Sequence, residues 1–262
     1  MRFWAAITLI LLYASAALAS DIAPTGSLRA AYLGNNPAQA VRDPVSGEIR
    51  GASADLAREL GRRINAPVTL IPSTSPQAVI DAVSKGEADI GFVAYAPSRT
   101  GTVAFSQTYM LVRQSFLVPE NSPIRSVADI DQPGRRIAGG KGDSITLFLA
   151  RTLKHAKLIE TDNSPADTKQ KFANGEIDAF GANRQRLTNM AAEMPGYRLL
   201  PDNIFDVPQT IILPKDKPQI LAEVNRFIDD VRGSGFLAAA IERGHIPGVE
   251  IAPAGYGYGK AE

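Results

Sequence analysis

The stretches "AVSKGEADIGF", from Ala82 to Phe92, and "KFANGEIDAFG", from Lys171 to Gly181, contain the same short unit. In each stretch a helical pattern ends at Gly-Glu, an Asp follows one residue later, and an apolar strand begins. The two aspartates, Asp89 and Asp178, are 89 positions apart. The repeat favours two α/β lobes of related build, each containing a helix–glycine–strand unit. The alternative is an ordinary α/β protein in which Gly-Glu ends two unrelated helices.

Helix and strand patterns alternate on both sides of the repeated unit. The first strand of each half is predicted at Leu28–Tyr32 and at Arg136–Ala138. This alternation predicts mainly parallel sheets flanked by helices, which bind ligands beyond the carboxyl ends of their strands. We therefore expect the polar loops after the two repeated units, Ala94–Arg99 and Ala182–Arg184, to line a ligand site between the lobes.

The composition excludes several classes of function. The formal net charge of +1 comes from 28 basic and 27 acidic residues among 262, so neither nucleic acid nor an anionic membrane is expected as a partner. The absence of Cys excludes thiol nucleophiles, disulfide bonds and Cys-based metal sites. No metal and no cofactor is expected.

The N-terminus has the pattern of a secretory signal peptide. The start "MRFW" is followed by an apolar run from Ala5 to Leu18, and "ALA" at 17–19 fits the small-x-small cleavage rule. A membrane anchor is the alternative, but the run is short for a span of ~20 residues. We expect residues 1–19 to be removed and the mature protein to reside in the periplasm.

Four motifs occur in order between Leu28 and about Gly244. They are "GASADLAREL" at 51–60, Arg99 followed by "FSQTY" at 105–109, "VADI" at 127–130 with the glycines at 134 and 142, and "GEIDA" at 175–179. Each motif is weak alone. Together they resemble the family 3 periplasmic solute-binding proteins, the polar amino-acid receptors of ABC importers.

The resemblance implies a type II periplasmic binding protein fold. Two α/β lobes, each a mainly parallel sheet flanked by helices, would be joined by two hinge strands and close on a ligand. The implied boundaries are residues 20–113 plus 208–262 for lobe one and residues 114–207 for lobe two, with crossings near Tyr109–Arg113 and Asp206–Thr210. The implied function is capture of an amino acid or related small organic carboxylate for ABC permease subunits in the inner membrane. The resemblance also implies a monomer without enzymatic activity.

Arg99 is the strongest candidate for ligand contact, since family members hold a ligand carboxylate with the matching Arg. A planar guanidinium donates two charge-assisted hydrogen bonds to a planar anion. Residues Gly142, Asp143 and Ser144 precede a predicted helix, whose backbone N–H groups attract an anion, although a plain N-cap is the alternative. The remaining candidates lie at strand ends or flank the loop after the first repeat: Asn35, Asn36, Phe92, Ala94, Tyr95 and Asn183. For Asn35 and Asn36 a plain turn is the alternative, and for Phe92 a core position.

Two positions depart from the amino-acid receptors. Ala94 stands where they carry Ser or Thr, and Asn183 stands where an Asp pairs with the α-ammonium of the ligand. An amide cannot offset a buried ammonium, and Arg184 and Arg186 add positive potential if either points inward. We therefore expect a small organic carboxylate that lacks the amine or bears a second acidic group, rather than a standard α-amino acid.

Two other classes of protein with this fold remain alternatives. Periplasmic cyclohexadienyl dehydratases are similar even in "DQPG" at 131–134. Dehydration needs a placed general acid, and the two acidic positions of those enzymes are occupied here by Asn183 and Arg186. An accessory protein that binds no transported solute is the second alternative.

Overall fold

The computed structural model describes residues 21–244 and 248–256. The predicted signal peptide, residues 1–19, lies outside the described residues. Within those ranges every helix is too short or too polar to cross a lipid bilayer.

Strands and helices alternate along the chain. The strands are β1 Leu28–Leu33, β2 Val41–Arg42, β3 Ile49–Arg50, β4 Val68–Ser73, β5 Ile90–Ala94, β6 Val103–Phe105, β7 Met110–Pro119, β8 Arg136–Gly140, β9 Lys157–Thr161, β10 Ala179–Asn183, β11 Tyr197–Leu199, β12 Phe205–Pro214 and β13 Val249–Ile251. The helices are α1 Ala52–Arg63, α2 Pro76–Ser84, α3 Ser144–Thr152, α4 Pro165–Ala173, α5 Arg184–Glu193, α6 Pro218–Gly233 and α7 Phe236–Arg243. Single 3-10 turns occupy Pro97–Arg99 and Val127–Asp129.

The main sheet consists of two parallel units joined by two long antiparallel strands. Its central path has the order β4-β1-β5-β12-β7-β10-β8-β9. Strand β1 pairs in parallel with β4 and β5, and β8 pairs in parallel with β9 and β10. Between these units, β12 and β7 run antiparallel to each other and to their outer neighbours. The architecture is the predicted α/β fold with two lobes of related build.

The repeated aspartates have the same role in each lobe. Asp89 accepts hydrogen bonds from the backbone N–H and the Nη2 of Arg29, at 2.8 and 2.6 Å. Asp178 accepts the same two bonds from Arg136, both at 2.7 Å. In return, the N–H of each aspartate donates to the carbonyl of its arginine at 2.8 Å. The repeated unit therefore attaches the third strand of each parallel unit to the start of its first strand.

Separate apolar clusters stabilise the two halves. In the first, helix α6 returns from the C-terminal part of the chain and packs Val224 and Phe227 into the cluster that contains Leu28 and Tyr32. In the second, Phe116, Ile137 and Leu149 belong to a different cluster. Because each half buries its own apolar side chains, the surfaces where the halves meet remain available for polar residues.

Candidate ligand-binding cavity

A cavity of about 50 Å³ lies where the carboxyl ends of the parallel strands face each other. Its polar residues come from three places: the first half of the sheet, the second half, and the two long strands between them. The polar lining comprises Asn35, Asn36, Gln39 and Arg99 from the first half, Asp143, Ser144, Asn183 and Arg186 from the second, and Gln114 and Gln209 from β7 and β12.

Arg99 is buried and contacts both halves of the molecule. Only 8% of its surface is exposed. Its Nη1 donates to the carbonyl oxygen of Ala94 at 2.8 Å, and its Nη2 donates to that of Gly142 at 2.6 Å. Burial lowers the pKa of the guanidinium to about 10, against the opposing effect of Asp143. Arg99 therefore remains a cation at neutral pH, with its donors directed into the cleft.

Asp143 occupies the N-cap position of helix α3, but its carboxylate does not cap the helix. The carboxylate lines the cavity, and its Oδ2 lies 3.5 Å from Nη1 of Arg186. Burial raises the pKa of Asp143 to about 6, although Arg186 and Arg99 both favour the ionised form. The side chain is thus an acidic group of the site and not a simple helix cap.

Of the two arginines that follow Asn183, only Arg186 lines the cavity. Its Nη2 donates to the carbonyl of Asn163 at 2.9 Å, and its guanidinium carbon lies 5.1 Å from the centre of the Phe180 ring. Burial lowers the pKa of Arg186. The guanidinium of Arg184 points away from the cavity, where Nε donates to Oδ1 of Asn203 at 2.9 Å. Arg186 is therefore the second cation that lines the cavity, in addition to Arg99.

Two asparagines that line the cavity connect the halves. Nδ2 of Asn183 donates to Oδ1 of Asn36 at 3.0 Å, while Oδ1 of Asn183 accepts the N–H of Arg186 at 2.8 Å and caps helix α5. Asn35 is exposed, and its Nδ2 donates to the carbonyl of Thr74 at 3.4 Å. Both asparagines predicted after β1 line the cavity, and Asn36 also makes a contact between the halves.

Sequence reasoning missed three buried glutamines that contribute to the cavity wall. Nε2 of Gln39 donates to Oε1 of Gln209 at 3.0 Å, and Oε1 of Gln39 accepts the N–H of Leu33 at 3.2 Å. Nε2 of Gln114 donates to the carbonyl of Val112 at 3.1 Å. For Gln114 and Gln209 the sequence signal is a glutamine within a largely apolar strand, whereas Gln39 lies in the loop between β1 and β2 and has no such signal.

The other candidates have different positions. Ser144 and Ala94 line the cavity, and Gly142 contributes the carbonyl that Arg99 binds. Phe92 takes the alternative core position, where it is fully buried against Tyr109. Its neighbour Val93 points to the opposite face of the strand and lines the cavity.

Tyr95 lies outside this cavity. Its ring packs edge-on against Phe105 with centroids 5.2 Å apart, and it lines a second cavity of about 30 Å³ together with Phe148 and Phe205. Ser144 borders both cavities, so the second one adjoins the polar site. Among residues 21–244 and 248–256, no group of three or more His, Asp or Glu side chains is placed to hold a metal ion.

Comparison with known proteins identifies the family of the chain and supports its fold. Residues 28–243 match the model of the bacterial extracellular solute-binding proteins, family 3. The chain is similar to the ABC transporter glutamine-binding protein GlnH of Bacillus subtilis (strain 168), with 24% identity over 199 residues that cover 74% of this chain and 72% of that protein.

Two solved structures show the same fold. The solute receptor for L-cysteine of Neisseria gonorrhoeae has a TM-score of 0.75 and 22% identity, over 88% of this chain and 94% of that one. An ancestral amino acid-binding protein, described as a precursor of cyclohexadienyl dehydratase, has a TM-score of 0.72 and 22% identity, over 86% of this chain and 97% of that one. At this identity the structures support the fold alone.

Proposed function

The chain belongs to the bacterial extracellular solute-binding proteins of family 3, and we propose that it is the receptor component of an ABC importer. It captures an amino acid or a related small organic carboxylate between its two lobes and delivers it to permease subunits in the membrane. The glutamine-binding ABC transporter protein of Bacillus subtilis supports this role, since it matches this chain over most of its length.

The position of Arg99 is the observation that carries the proposal. A carboxylate that enters the cavity can replace the neutral carbonyl of Gly142 as the acceptor of Nη2. The anion offers two oxygens to a planar cation, so this exchange favours binding. Because Asp143 and Ser144 of the second half line the same cavity as Arg99, a ligand held by Arg99 can contact both halves and so stabilise the closed form.

We place the protein in the periplasm as a monomer, after removal of residues 1–19. The support is the charged start, the short apolar run and the cleavage pattern at 17–19. We assign residues 20–113 plus 208–262 to lobe one and residues 114–207 to lobe two. Leu111 of β7 pairs with Pro208 of β12, the two long strands between the parallel units. This pair lies next to both proposed boundaries and so supports the division.

We propose binding and not catalysis. A dehydratase needs a proton donor near the leaving hydroxyl. Asn183 and Arg186 occupy the positions expected for the acids. Among the described residues, the one carboxyl group that lines the cavity is Asp143, and its ion pair with Arg186 at 3.5 Å favours the ionised form, which cannot donate a proton. The structural neighbour related to the dehydratases is itself described as an amino acid-binding protein.

Thermal unfolding with a panel of amino, hydroxy and keto acids tests the proposal. A ligand at 1,000 times its Kd adds ~4 kcal/mol to the free energy of unfolding, which raises the melting temperature by several degrees. We expect at least one carboxylate to give this shift and Arg99→Gln to reduce it by about half or more at the same ligand concentration. A panel in which no carboxylate stabilises the folded protein contradicts the proposal, as does formation of phenylpyruvate from prephenate.

A further inference from the structure

Three charged side chains line the cavity, and their charges alternate. Arg99 and Arg186 are cations, and the carboxylate of Asp143 interacts electrostatically with both, with Oδ2 at 3.5 Å from Nη1 of Arg186. When Asp143 is ionised, the lining carries one net positive charge. The neutral polar residues cannot offset it, since Asn36, Asn183 and the three glutamines contribute only dipoles.

This charge pattern disfavours a simple zwitterion. A neutral amino acid carries one carboxylate and one ammonium, so closing the cleft around it leaves one buried guanidinium without a new anionic partner. Leaving a buried charge uncompensated is costly. A dicarboxylate without an amine fits the two cations but brings two anions next to Asp143, which is repulsive.

A ligand with the opposite pattern of charges satisfies all three groups. We propose, building on the proposed function, that the preferred ligand is a small aminodicarboxylate, with one carboxylate at Arg99, the ammonium at Asp143 and the second carboxylate at Arg186. Asp143 then supplies the negative charge that Asn183 cannot. Asp143 becomes the residue that selects for the amine, and Arg186 the residue that selects for the second acid.

Local geometry supports these assignments. The carboxylate of Asp143 is not used as a helix cap, and a quarter of its side-chain surface is exposed to the cavity. A hydrogen bond from Arg186 to the carbonyl of Asn163 and a cation–π contact with the ring of Phe180 hold its guanidinium at the wall. Burial raises the pKa of the Asp143 carboxyl group, so the two arginines compensate its loss of hydration only in part. A bound ammonium would offset the cost of burying this charge and favour the ionised carboxylate.

Isothermal titration of the mature chain at pH 7.5 tests the proposal. The probes are L-glutamate and L-aspartate, their amides L-glutamine and L-asparagine, and the amine-free acids glutarate and succinate. We expect one aminodicarboxylate to bind at least about 30-fold more tightly than both its amide and its amine-free counterpart, because each analogue leaves one buried charge unpaired.

Two variants separate the assigned roles. Arg186→Gln is expected to remove the preference for acid over amide, and Asp143→Asn the preference for the amine. Arg125→Gln and Asp216→Asn are the matched controls, since both residues are exposed and the changes in net charge are the same. Arg186→Lys keeps the charge without the planar fork, and we expect it to retain the acid preference at lower affinity.

The wild-type panel decides the proposal even if a variant fails to fold. Equal affinity for an aminodicarboxylate and its amide overturns it and leaves the proposed function intact, as does binding of hydroxy or keto acids alone. A persistent acid preference in a folded Arg186→Gln protein also overturns it. If no amino, hydroxy or keto acid binds, this inference and the proposed function both fail.

Discussion

The guanidinium of Arg99, in the first half of the molecule, donates to the carbonyl oxygen of Gly142, in the second half, at 2.6 Å. A second donor of the same group binds the carbonyl of Ala94 in its own half at 2.8 Å. One buried cation therefore holds a backbone acceptor on each side of the cavity. A ligand carboxylate competes for these donors, so ligand recognition and contact between the lobes depend on the same side chain.

Replacing Arg99 should affect both properties. We expect Arg99→Gln to weaken carboxylate binding by about 30-fold or more, because the anion loses its buried partner. The unliganded variant should also be more open, since the contact with Gly142 is lost. Titration measures the first effect and small-angle scattering the second. Arg125→Gln should change neither, and unaltered affinity in Arg99→Gln would exclude the proposed role.

Asp143 should make the unliganded protein less stable as pH rises. Its pKa is about 6 in the folded protein against 3.8 for a free carboxyl group, so the folded state binds the proton more tightly than the unfolded chain. The contribution of protonated Asp143 to the free energy of unfolding is complete below pH ~4. It is lost as pH rises through ~6, a change on the order of 2–3 kcal/mol. Urea unfolding of wild type and Asp143→Asn should show this difference between pH 4 and 7. Parallel pH profiles would show that Asp143 titrates normally.

Asn183 is a second determinant of ligand charge. We expect Asn183→Asp to keep helix α5 capped, because a carboxylate oxygen can also accept the N–H of Arg186. The added negative charge should shift the preference from acidic amino acids towards their amides, by about tenfold. Competition titrations with glutamate and glutamine measure the shift, and Asn121→Asp, at an exposed position outside the cavity, is the control for the same change in charge. A stronger preference for the acid would contradict this account.

Gly140 lies at the end of β8, where a side chain has no room. A Cβ at this position would collide with Oδ1 of Asn163 and approach Oδ2 of Asp143. We expect Gly140→Ala to destabilise the fold by about 1–3 kcal/mol and to displace Asp143 from the cavity, which weakens ligand binding. Gly101→Ala is the matched control, since a Cβ there has no neighbour within 4 Å. Chemical unfolding and titration of both variants test the expectation.

The repeated aspartates allow a comparison within one molecule. The side chain of Asp89 is 4% exposed and that of Asp178 is 24% exposed, although both make the same bonds to an arginine. We expect Asp89→Asn to cost about 2–4 kcal/mol and Asp178→Asn about half as much, because water compensates the more exposed arginine. Unfolding midpoints of the two variants provide the test, and equal losses would refute the role of burial.

Much of the fold follows from local patterns in the sequence. The helix–glycine–strand units at 82–92 and 171–181 predict two related lobes because a glycine with positive φ ends each helix, at Gly86 and Gly175. Arg99 was identifiable from its position after β5 together with the motif that follows it. The polar residues after β1, β8 and β10 were also identifiable, since parallel strands present their carboxyl ends at a common edge.

Only the tertiary structure decides which of these side chains enter the cavity. Arg184 and Arg186 are two residues apart on helix α5 and point about 160° apart, so the packing of the helix selects one of them. Gln39 and Gln209 meet although they are 170 positions apart. Asp143 becomes an acidic group of the site because its carboxylate turns away from the helix it precedes. Such directions depend on long-range packing, which the spacing of residues along the chain does not determine.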